Sequence, residues 1–235
     1  MKVTYLYHSG FAVETKKHFL IFDYWKTSPL NGKLSDGVIN PDEIREKDVI
    51  VFSSHRHRDH FNDVILTWGK TIERIRFILS DDIGEFPNIK SIGPHESFNE
   101  QDFFVRTLKS NDEGVAFLLK IDGVCIYHAG DLNWWHWEGE EGSWNDDIKK
   151  SYQKEIDTLA GETIDLAFVP VDPRLKQQYV WGIDYILRNA DVKKAVPMHF
   201  GSKKSAIEKL LTDPVTEPYR DKIVPLVKRG ETAEI

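Results

Sequence analysis

"SSHRHRDHF", residues 53–61, sets three imidazoles and a carboxylate within the six positions from His55 to His60, with Arg56 and Arg58 in between. The preceding run "DVIVF", residues 48–52, is continuously apolar, as expected of a strand buried on both faces. If the strand direction continues through 55–59, His55, His57 and Asp59 point one way and the two arginines the other. Downstream, Phe61, Val64, Ile65 and Trp68 recur at helical spacing, which predicts an amphipathic helix with Asn62 and Asp63 in its first turn. A strand, a ligand-bearing loop and a helix make a rigid mount. Imidazole mixed with carboxylate suits zinc, iron, manganese or nickel. Four ligands so close together would strain around a single ion, so the pattern predicts two ions, one on His55 and His57, the other on Asp59 and His60. Further ligands are expected from the C-terminal ends of other strands. Asp131 follows "VCIYHAG", and His199 follows "KKAVPM" with Gly201 close behind to ease the turn.

The rest of the chain sets the context. With 235 residues and 40% hydrophobic content, a single domain spanning 1–235 with a substantial core is expected, without repeats or linkers. "VTYLY", "FAVET" and "HFLIFD" read as an antiparallel meander. Later strands are expected at "RIRFILS", "DFFVRTL", "VAFLLKI", "VCIYHA", "IDLAFVPV", "KKAVPM" and "KIVPLV". Helices are expected over "WNDDIKKSYQKEIDTLAG", with acids in its first turn and a stop at Gly161, over "YVWGIDYILRNA" and over "KKSAIEKLL". Strands first, then strands mixed with helices, imply an α/β (α+β) class with sheets packed together and helices outside. The net charge of −7 and the lack of a basic block disfavour nucleic acid as a partner and favour a small-molecule substrate. Cys125 is the one cysteine, so no internal disulfide forms. Neither a signal peptide nor a membrane span is read, and the expected location is cytoplasmic. The sequence leaves self-association into a homo-oligomer open.

These motifs together resemble the metallo-β-lactamase-fold hydrolase superfamily, whose H-x-H-x-D-H pattern is matched by His55, His57, Asp59 and His60. "HAGD" (128–131) and "VPMHFG" (196–201) follow in the family's order. The opening "YLYHSGFAVET...FLIFD" looks like the small bacterial branch related to ascorbate-phosphate lactonase. The resemblance implies a four-layer αββα sandwich with a dinuclear site at one sheet edge. It implies His55 and His57 on metal 1, Asp59, His60 and His199 on metal 2, and Asp131 bridging. The cofactor implied is one or two divalent ions, zinc first, with manganese or iron as alternatives. One departure stands out: the third histidine that the family supplies to metal 1 is missing from "RTLKSNDEG". Ser110, Asn111 or Asp112 would substitute an oxygen ligand and favour manganese or another oxygen-tolerant ion. His95 in "GPHES" is a further candidate, and a site with a single ion is another outcome.

Around this centre, His8 and Trp25 approach the same rim as substrate-binding candidates, and Asp23 reads as a structural acid. Trp134, Trp135 and Trp137 in "DLNWWHWEGEEG" either plug the core or wall a substrate pocket, with His136 offering a proton or a ligand. Arg174 either clamps an anionic substrate or pairs with Asp172 or Glu162. The implied activity is hydrolysis, a metal-activated hydroxide attacking a small ester, lactone or phosphoester while Asp59 and Asp131 serve the reacting centre. His57 argues against the iron-based, oxygen-reducing branch, which resembles H-x-E-x-D. The alternative is a noncatalytic or mononuclear member with a decayed metal 1 site.

Overall fold

The computed structural model describes residues 1–235. One sheet runs in the order β13-β1-β2-β3-β4-β5-β6, from Lys2–Tyr7 (β1), Gly10–Glu14 (β2), His18–Phe22 (β3), Asp48–Ser53 (β4), Arg74–Ser80 (β5), Lys90–Ile92 (β6) and Thr232–Glu234 (β13). The other runs β12-β11-β10-β9-β8-β7, from Ser97–Asn99 (β7), Phe103–Lys109 (β8), Val115–Ile121 (β9), Val124–His128 (β10), Thr163–Pro170 (β11) and Asp191–Met198 (β12). Both sheets are mixed. β1, β2 and β3 form the antiparallel meander, while β3, β4, β5 and β6 run parallel. β10, β11 and β12 are likewise parallel.

Side-chain alternation builds the layers. In β4, Ile50 and Phe52 enter the larger core between the sheets, whereas Val49 and Val51 enter a second core on the outer face. β3 divides the same way, Leu20 and Phe22 inward, Phe19 and Ile21 outward. Between the sheets, Phe22 stacks on Phe52 at 4.8 Å and Phe11 meets Phe168 at 4.3 Å between ring centroids. Three helices cover the second sheet: α1 (Gly142–Asp157), α2 (Trp181–Asn189) and α3 (Ser205–Thr212). The α1 stripe buries Tyr152, Ile156 and, just beyond its end, Leu159. The result is an α/β sandwich of two mixed sheets flanked by helices. No helix is long and apolar enough to cross a membrane.

Several local expectations are corrected. The segment after the histidine strip is a 3-10 helix, Asp63–Lys70, in which Asn62 caps Val64 N–H and only Ile65 and Trp68 are fully buried. "KIVPLV" is not a strand; Pro225 lacks an amide donor, and one bridge, Ile223 to Ala195, is all that forms. α1 begins at Gly142, so Asp146 and Asp147 fall beyond its first turn. β4 ends at Ser53, and the chain then turns, with the His60 and Phe61 amides both donating to the His57 carbonyl. The strict alternation expected through 55–59 therefore does not hold.

Candidate metal centre

The parallel strands deliver the chemistry at their C-terminal ends, where open α/β sheets collect ligands. Asp23 follows β3, His55 follows β4, Asp131 follows β10, Asp172 follows β11 and His199 follows β12. Two glycines allow the loops to close. Gly114 and Gly130 have φ of +68° and +52°, and a Cβ on either would lie 2.0 Å from the Ser54 carbonyl oxygen or 2.6 Å from Ser54 Cβ. Their loops press onto Ser54 and carry Asp112 and Asp131 to His55. The His199 amide donates to the His8 carbonyl at 3.1 Å, tying the first hairpin turn to the end of β12. Both residues hold left-handed backbones, with φ of +59° and +65°.

Two donor groups result, each with ligand atoms within 4.8 Å of one another: His55, His57, Asp112 and Asp131; and His8, Asp59, His60 and His199. Asp131 reaches both. Its Oδ1 lies 3.2 Å from His60 Nε2 and 3.3 Å from His199 Nε2, and its Oδ2 lies 3.6 Å from His55 Nε2.

A layer behind these groups fixes which nitrogen faces inward. Fully buried Asp23 accepts from His60 Nδ1 at 2.7 Å, from Ser54 Oγ at 2.7 Å and from the Ser54 amide at 2.8 Å. His55 Nδ1 in turn donates to Ser54 Oγ at 3.0 Å. Asp172 accepts from His199 Nδ1 at 2.9 Å. With each Nδ1 so occupied, the Nε2 atoms of His55, His60 and His199 face Asp131, as outer partners orient metal-ligating histidines. His128 plays a different part: its Nε2 donates to the Ser9 carbonyl and its ring stacks on Phe22, which makes it a structural histidine.

The donor set fits divalent ions. His8 Nε2, His55 Nε2, His60 Nε2 and Asp131 Oδ1 are buried without a hydrogen-bond partner, which is costly unless something cationic engages them. Burial and the nearby His60 push His55 down to about 4, keeping it neutral with a lone pair to offer. Burial and the repulsion of Asp131 raise Asp112, a conflict between carboxylates that a cation relieves. Burial opposes charge on His199, yet Asp131 and Asp172 outweigh it and hold the imidazole up to about 10.

Among the sequence candidates, His55, His57, Asp59, His60, Asp131 and His199 are brought together, and His8 joins the second group. Asp112 takes the place opposite His57. Ser110 instead accepts from the Asp112 amide, and Asn111 donates to the Asn133 carbonyl. His95 is not at the centre, because its ring is tied to Glu155 at 2.9 Å. Trp134 and His136 turn away and pack on Trp181, whereas Trp135 and Trp137 face the centre. Trp25 packs at a tilt against Tyr7, next to His8. Arg174 is held by Asp172 at 2.6 Å rather than left free as an anion clamp, and Glu162 pairs with Lys120. Asp23 carries more than a loop: no feature of "FLIFDYW" announces that it governs two histidines across the sheet.

Residues 2–137, more than half of the chain, match the family described as the beta-lactamase superfamily domain. The chain belongs to the beta-lactamase superfamily. Within this superfamily it is 28% identical over 145 residues to a UPF0173 metal-dependent hydrolase of Pyrococcus furiosus, covering 56% of this chain and 61% of that one, less than two thirds. It is 26% identical over 226 residues to the UPF0173 metal-dependent hydrolase YtkL of Bacillus subtilis, covering 86% of each. Its fold is similar to that of Igni18, a metallo hydrolase from Ignicoccus hospitalis, with a TM-score of 0.66 and 17% identity over 100% of this chain and 98% of that one.

Proposed function

We propose that the protein is a metal-dependent hydrolase of a small ester, lactone or phosphoester. The observation that carries this reading is the convergence of unpartnered imidazole nitrogens on the buried, two-faced carboxylate of Asp131. His55, His57 and Asp112 would hold one ion and His8, Asp59, His60 and His199 the other, with Asp131 between them. When bound, such ions supply Lewis acidity toward a carbonyl or phosphoryl oxygen and make water acidic near neutral pH.

The protein's own groups supply position and charge. Asp23, Ser54 and Asp172 lock the imidazoles so that little reorganisation is needed when substrate arrives. The His8 imidazole, with Nε2 3.4 Å from Asp59 Oδ2, holds Asp59 well below the usual carboxylate range, leaving it an acceptor that can orient a water at the mouth of the site. Trp135, whose indole N–H donates to the Asp131 carbonyl, shields the buried side from solvent. Two carboxylates in the Asp112 group suit manganese or another oxygen-tolerant ion, while the histidine-rich group suits zinc. His57 and Asp112 are 43% and 46% exposed, which favours a second reading in which only the histidine-rich group retains its ion after purification.

The test is a chelated preparation assayed on lactones, phosphodiesters and thioesters. Turnover is expected to appear only on adding zinc or manganese and to be lost in His57→Ala and Asp59→Ala variants that stay folded. Turnover indifferent to chelation and to both substitutions would overturn the proposal.

A further inference from the structure

A cleft of about 250 Å³ opens beside the centre, with Asp112 and Asp131 forming its inner end. Its walls are indoles. Trp135 and Trp137 lie parallel, 6.1 Å apart with planes 6° from each other, and Trp144, 40% exposed at the start of α1, stands at the cleft together with Ile148. Arg174 is the one cationic side chain lining it. Its guanidinium lies 5.5 Å from the centre of the Trp137 ring, and its Nε and Nη2 both donate to Asp172, the carboxylate that also holds His199. Arg174 thus extends the flat wall instead of awaiting a substrate anion. Flat apolar walls and the lack of an uncommitted cationic side chain select for the shape of an apolar, planar group.

We infer that this cleft seats an uncharged aryl group, so that the substrate is an aryl-bearing ester or lactone. The inference rests on the hydrolase reading for the reaction and on the cleft for the substrate class. In the reaction water oxygen bonds to the acyl carbon, the bond from that carbon to the alkoxy oxygen breaks, and a water proton passes to the leaving alkoxide. Acid and alcohol are the products, and no redox partner is needed.

Two measurements test it. In the first, the zinc- or manganese-loaded protein is assayed on γ-phenyl-γ-butyrolactone and γ-methyl-γ-butyrolactone, which share the acyl carbon that water attacks and differ in the substituent on the carbon bearing the leaving oxygen. The phenyl compound is expected to have a kcat/KM about 10- to 100-fold higher. The ratio should fall toward unity in Trp144→Ala, whose exposed position spares the fold, and in Trp137→Leu. In the second, 3-phenylpropanamide, which has no ester to cleave, is titrated into the chelated protein. Quenching of indole fluorescence with a Kd at least tenfold weaker in Trp144→Ala supports the cleft assignment even if no lactone is hydrolysed, an outcome that would count against the hydrolase reading alone. Equal rates on both lactones, unchanged by Trp144→Ala, would overturn the inference while leaving the hydrolase reading in place.

Discussion

An Asp131→Asn protein is expected to lose tightly bound metal from both donor groups and to lose metal-dependent turnover by at least about 10³-fold, since several kcal/mol of charge stabilisation depend on the ions. Asp131 is the one carboxylate within reach of His55, His60 and His199 together. The same substitution should destabilise the chelated protein. Burial opposes ionisation of Asp131, but His60 and His199 hold its carboxyl well below the usual range, and removing one member of such a buried set costs about 3–5 kcal/mol. The pH dependence has a definite sign. His199 rises from 6.5 to about 10 on folding, so its contribution is complete below 6.5 and fades as pH climbs toward 10. Asp131 is shifted the other way, and its contribution is complete above 3.8 and fades in acid. Thermal unfolding of the chelated proteins should therefore show the widest gap between native and variant from about pH 4 to 6.5, narrowing toward pH 10. A variant that keeps its metal, or that matches the native protein across this range, would contradict the assignment.

The second large effect is expected at a residue that touches no candidate ion. Asp23→Asn replaces an all-accepting carboxylate by an amide that must present N–H to at least one donor among the Ser54 amide, Ser54 Oγ and His60 Nδ1. One buried donor is left facing another. A stability loss of about 2–4 kcal/mol is expected, read as a lower denaturant midpoint with an unchanged slope. Metal affinity should fall about 10- to 100-fold in both donor groups, because His60 is held directly and His55 through Ser54. A loss confined to the group containing His60 would show that the Ser54 relay does not orient His55.

Much of this was legible in residues 1–61. The continuously apolar run "DVIVF" predicts a strand buried on both faces, and "HFLIFD" reads as the last strand of the meander. The histidine strip announces metal chemistry through residue type and spacing. Its geometry was not legible, since a strand that stops at Ser53 and turns at His57 looks the same in sequence as one that runs on. Nor was Asp112 separable from Ser110, Asn111 and His95. That choice depends on Gly114 packing against the Ser54 carbonyl and on Glu155 taking His95, contacts between segments distant in sequence. The tryptophans divide for the same reason. Neighbouring Trp134 and Trp135 differ only in which way the chain leaves Asn133, and Trp144, which stands at the cleft, lies in the first turn of α1 with no motif to mark it.

Two donor groups sharing Asp131 are expected to hold two unlike ions, which metal titration of the chelated protein measures. Calorimetry with zinc and with manganese should give two equivalents, the weaker assigned to the half-exposed group of His57 and Asp112, and Asp112→Ala should abolish that weaker equivalent while preserving the tighter one. Absence of binding, or two equivalents untouched by Asp112→Ala, would contradict it.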